Sequence, residues 1–134
     1  MTDSVRLTIP RARPYYAVAR LVVGGLAARL DLSYDYLEDM QVALESLDAY
    51  VAGREMTVEL VVEPEGVDML VGPLERARLR PELEREDAPE REGVGEGVTL
   101  RRLLAAVVET VEIEERVGGE WLRLRKRARG GAPA

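Results

Sequence analysis

Five stretches of the chain alternate apolar and polar residues, and that period of two constrains the fold more than any other feature. In Ser4–Ile9 the residues Val5, Leu7 and Ile9 share one face and Arg6 and Thr8 the other. The same alternation runs through Glu55–Glu63, Val67–Val71, Thr110–Val117 and Glu120–Lys126. Such segments read as half-buried strands, and a sheet with one apolar face needs a second layer to cover it.

The covering layer is legible between the strands. Tyr15, Val18, Val22, Leu26 and Leu30 recur at steps of three and four, which predicts a helix over Tyr15–Leu30 with that stripe inward. Gly24 and Gly25 interrupt it and imply a close neighbour. Ser33 is placed as an N-cap for a second helix over Tyr34–Ala52, with Leu37, Met40, Leu44, Leu47 and Val51 as its core stripe and Gly53 as its stop. A third helix, Val98–Glu109, carries Leu100, Leu103, Leu104, Val107 and Val108. Pro64-Glu65-Gly66 and Gly118-Gly119 supply hairpin turns. The expected architecture is an α+β two-layer sandwich: one domain over 1–134, with a mixed, mostly antiparallel sheet and helices on one face.

Residues 73–96 mix both charges around Pro81 and Pro89, which predicts a short helix or a shortened lid-like loop. The end of the chain, 128–134, is expected to be a disordered tail, and WLRLRKRARG reads as an edge strand running into a basic, solvated end.

Composition removes several classes of chemistry. The chain has no cysteine and no histidine, so thiolate metal sites, disulfides and histidine bases are excluded. A net charge of −6 argues against a general nucleic-acid binder. No run approaches the roughly 18 apolar residues that span a bilayer, so a cytoplasmic protein without a membrane partner is expected. Tyr15, Tyr16, Tyr34 and Tyr36 lie near two helix starts and read either as core-edge packing or as an aromatic binding surface.

The segments VRLTIPRARPYYAVARLVVGGLA, LSYDYLEDMQVALESLDAYV, MTVELVVE with VDMLVGP, and GVGEGVTLRRLLAAVVETVEI, in that order, resemble the anti-sigma factor serine kinases of the GHKL (histidine-kinase-like) ATPase superfamily over nearly the whole chain. The resemblance implies a Bergerat-like fold that binds ATP and magnesium. In that family a Glu on the second helix activates the attacked serine, and an Asn four residues later holds magnesium. Ser46 stands at the Glu position and Tyr50 at the Asn position. Neither supplies the required chemistry, since a hydroxyl is no carboxylate base at neutral pH and a phenol is a poor ligand for magnesium. Glu45 and Asp48 are weak substitute cation ligands, and an exposed acidic helix face is the plainer reading.

The family's adenine-binding Asp is matched by Leu70, and the following glycine by Gly72. Gly95 and Gly97 match the glycines that cradle phosphates, or serve only a tight turn beside Glu92 and Glu96. The resemblance therefore implies a degenerate member: a regulatory protein that binds a sigma factor or a STAS-type anti-sigma antagonist, with no cofactor expected unless the ATP site is retained. The alternatives are an active serine kinase with a rearranged site and a homodimeric scaffold module.

Overall fold

In a computed structural model of the chain, described over residues 3–64, 66–85, 99–116 and 118–127, five strands form a single sheet. In chain order the elements are β1 (Asp3–Pro10), α1 (Arg13–Arg29), α2 (Tyr34–Ser46), β2 (Glu55–Glu63), β3 (Gly66–Leu74), α3 (Arg76–Glu84), α4 (Leu100–Val107), β4 (Thr110–Arg116) and β5 (Gly119–Arg127). The strands lie in the order β1-β2-β3-β5-β4. Every pairing among them is antiparallel, so the expected mixed sheet gives way to an antiparallel one.

Alternation along the strands sends Ile9, Met56, Val58, Leu60, Val67, Met69, Val71, Leu122 and Leu124 into one core with Met40, Leu44 and Leu47 of the α2 region and Leu100 and Leu104 of α4. Burying these side chains is the dominant stabilisation, at about 1.5–3 kcal/mol for each fully covered large one. The opposite sheet face carries charge. Asp68, 2% exposed, accepts from Arg125 Nε at 2.8 Å and Nη2 at 3.0 Å, and from Arg123 Nη1 at 3.0 Å. Arg123 Nε also donates to Glu114 at 2.6 Å, and Arg116 links Glu114 to Glu59. β5 is therefore an interior strand between β3 and β4, not the edge its basic sequence implied, and its arginines are held by carboxylates of its neighbours.

Trp121 is buried on this charged face, with Arg6 and Arg116 over its ring. It lies on Gly72, where an added Cβ would come within 2.4 Å of the indole. The Gly118 and Gly119 turn takes the positive φ angles expected of it, +98° and +144°.

Three boundaries and faces differ from the sequence reading. The buried residues of α1 are Tyr16, Ala19, Val23 and Ala27, one position off the expected stripe, while Tyr15, Val18 and Leu30 are exposed. Gly24 does face a neighbour, with its absent Cβ 3.8 Å from Leu37 Cδ2, whereas Gly25 faces none. The second helix stops at Ser46 instead of Ala52 and continues as a single 3-10 turn over Asp48–Tyr50. The end of β3 captures the chain there: Ala52 N–H donates to Pro73 O at 2.8 Å, Glu75 N–H donates to Tyr50 O at 2.7 Å, and Val51 bridges Leu74.

Of the segment 73–96, residues 73 and 74 complete β3 and residues 76–84 form α3, with Leu79 fully buried and Glu120 of β5 gripped by Arg80. Residues 86–96 and the tail 128–134 lie outside the described residues.

Candidate functional site

The positions matched to the kinase site do not converge. Ser46, at the last residue of α2, donates its hydroxyl to Ala43 O at 2.8 Å, closing on its own helix. Tyr50 sits beyond the helix in the 3-10 turn, so the two residues no longer share a continuous helical face. Its side chain packs partly buried against the core beside α3. Burial, with Glu82 adding to it, raises the phenol above its ordinary pKa.

Leu70 lies on the other side of the sheet. It alternates with Met69 and Val71, which face the helices, and pairs across the sheet with Arg123 and Glu59. Gly72 serves the packing of Trp121. Gly95 and Gly97 lie outside the described residues. Of the matched positions that are described, Ser46, Tyr50, Leu70 and Gly72, none carries an amide oxygen for magnesium or a carboxylate for adenine, so these four residues do not fit ATP and magnesium.

The structure does bring Glu45 and Asp48 together, on one wall of a groove of about 690 Å³ between α1 and α2. Gln41, Glu45 and Asp48 form that wall, and Arg11, Ala12, Arg13, Tyr16, Ala17 and Arg20 form the other. The antiparallel packing of α1 on α2 juxtaposes residues 25 to 37 positions apart. Both acids are engaged. Asp48 accepts from the Tyr16 hydroxyl and pairs with Arg11 Nε at 3.5 Å, and Glu45 accepts from Gln41 Nε2 at 2.8 Å. Desolvation, and then the hydrogen bond to Asp48, push the Tyr16 phenol far above its ordinary pKa, so it remains a donor. No set of three or more acidic side chains able to hold a metal occurs among the described residues. The groove is thus a polar slot with both charges on its walls.

Outside the groove the two helices expose apolar surface. Leu21 is 75% exposed and Tyr34 67%, with Tyr15, Val18 and Val42 also open to solvent. Arg20 pairs with Glu38 between the helices, and Tyr34 hydrogen-bonds the same Glu38, which holds that carboxyl below its usual range together with Arg20, the larger cause. Val42 follows Glu38 by one helical turn, whereas Leu21 is turned about 100° around α1 from Arg20 and faces away from the sheet.

Sequence reasoning missed the groove because its two walls lie 25 to 37 residues apart in the chain and meet only when α1 packs on α2. The one local signal was Gln41, a polar residue beside Met40 at the border of the buried stripe. No protein-family model matches the chain, and no curated protein matches it.

Proposed function

We propose that this chain is a non-catalytic regulatory binding protein of the cytoplasm, a degenerate relative of the anti-sigma factor serine kinases. It takes a sigma factor or a STAS-type antagonist against the outer face of α1 and α2. The observation that carries the reading is the exposure of Leu21 on α1 and Tyr34 on α2, two large apolar side chains on helices that also carry the Arg20–Glu38 pair. Large apolar side chains rimmed by charge mark surfaces that a protein partner covers. Loss of catalysis is supported by the chemistry of Ser46, Tyr50 and Leu70, none of which can act as base, magnesium ligand or adenine acceptor. The class of partner follows from the sequence resemblance.

The test is pairwise binding of the purified chain to the sigma factors and STAS-domain proteins of its own source, with Leu21→Glu as control. Binding of one such partner, weakened about tenfold or more by Leu21→Glu with the fold intact, is expected. Binding by none, or binding indifferent to Leu21→Glu, contradicts the proposal.

A further inference from the structure

The sheet ends on β4, which pairs with β5 along one side and has no second strand along the other among the described residues. A terminal strand turns alternate N–H and C=O groups outward, a row that an added strand can pair. The apolar side of this edge is also unfinished. Leu122 and Leu124 of β5 are fully buried, whereas Ile113 and Val111, their direct cross-strand partners, are only half-buried against the same core. The edge as a whole is negative. Residues 109–116 hold Glu109, Glu112, Glu114 and Glu115 against Arg116 alone, and Arg116 reaches back over the sheet to Glu59 of β2 and the Trp121 ring. The arginines of β5 do not make up the difference: Arg125 is held by Asp68 of β3, and Arg123 is shared between Asp68 and Glu114. Glu112, opposite Arg123, is exposed and has no ion pair among the described residues. Glu115 meets Arg76 at 3.8 Å with both side chains largely open to water, a pairing that contributes little.

From the open edge and its charge we infer that β4 takes an extended basic segment of a partner protein as an added strand, with arginine or lysine alternating with apolar residues. The apolar residues fall beside Val111 and Ile113 and extend the core layer, and the cations fall on the opposite face beside Glu112 and Glu114. The period of two in an extended chain places these two demands on alternate residues, while main-chain hydrogen bonds to the edge supply the common part of the affinity. Charge selects this occupant over the others. The β4 of a second copy would set its own carboxylates against these, so self-pairing is repelled. An acidic or uncharged strand would leave Glu112 without a counter-charge. β1, at the other edge of the sheet, carries Asp3 and Arg6 and has no such preference. Leu21 faces away from the sheet, so the β4 edge is a surface separate from the α1–α2 face and does not rest on the reading of that face.

The experiment is NMR titration of the full chain with an end-blocked peptide of alternating Arg and Val. Two peptides serve as controls, one with Glu for Arg and one with the same Arg and Val residues gathered into separate blocks. The expected result is saturable shifts along β4, with NOEs between peptide and β4 amide protons. The Glu peptide and the blockwise peptide should each bind about tenfold more weakly or less, and so should the alternating peptide to Glu112→Lys, whose spectrum stays native elsewhere. Leu21→Glu should leave the binding unchanged. Four outcomes overturn the proposal: no saturable shifts at millimolar peptide, equal binding of either control peptide, undiminished binding to Glu112→Lys, or shifts centred on β1 or on the α1–α2 face. Partner binding that responds to Leu21→Glu is a different readout from these, so failure of the β4 edge and failure of the apolar helix face are read separately.

Discussion

The Tyr36 hydroxyl donates to Lys126 O at 2.6 Å and accepts from Val67 N–H at 3.1 Å, tying the first turn of α2 to the junction of β3 and β5. Burial pushes the Tyr36 phenol up to about 12, so the group is a neutral donor throughout the working range. Tyr36→Phe keeps the ring and strands the Val67 N–H, a buried donor. A loss of about 1–3 kcal/mol is expected, read as a lower denaturant midpoint at unchanged m-value. No change in midpoint contradicts the bridging role.

Acid should unfold the chain through the carboxylates of the charged sheet face. Burial tends to raise Asp68, but the hydrogen bonds from Arg125 and Arg123 outweigh it and hold the carboxyl below its ordinary value. Arg123 does the same for Glu114, and Arg80 for Glu120. Groups whose folded pKa is depressed add stability that is complete above the unfolded value of about 4 and is lost as pH falls through the folded values. The denaturant midpoint should be nearly flat from neutral pH to about pH 5 and fall steeply below about pH 4. Asp68→Asn should lower the plateau and flatten that fall. A midpoint unchanged through the acid range contradicts this assignment.

Leu79 tests whether α3 belongs to the folded core. It is fully buried in a helix whose other residues are mostly exposed and charged. Leu79→Ala should cost about 2–5 kcal/mol, with chemical denaturation as the readout. A loss below about 0.5 kcal/mol, the range of surface changes, would show that α3 is not packed as described.

The strands were legible because each has one apolar face, and the period of two survives any tertiary context. α2 was legible because Met40, Leu44 and Leu47 stand out against charged neighbours. α1 misled because it is apolar nearly all round, and the contact with sheet and α2 is made by the small Ala19 and Ala27 while larger Val18 and Leu21 face outward. α3 was hidden because a single buried Leu79 carries it among arginines and glutamates. The early end of α2 depends on hydrogen bonds from Ala52 to Pro73 and from Glu75 to Tyr50, partners no local pattern announces. The groove has the same origin: Tyr16 meets Asp48, and Gln41 meets the Tyr16 carbonyl, only once α1 packs on α2.

The central claim, a binding protein that has left nucleotide chemistry behind, is tested most directly by isothermal titration of the purified chain with ATP and magnesium, with thermal unfolding alongside. A ligand that binds only the native state must raise its apparent stability, by about 2.7 kcal/mol at a hundredfold excess over Kd. The account predicts no saturable heat and no shift in Tm at millimolar ATP. Saturable, magnesium-dependent heat with a matching rise in Tm would contradict it and return Ser46, Tyr50 and Leu70 to the nucleotide site.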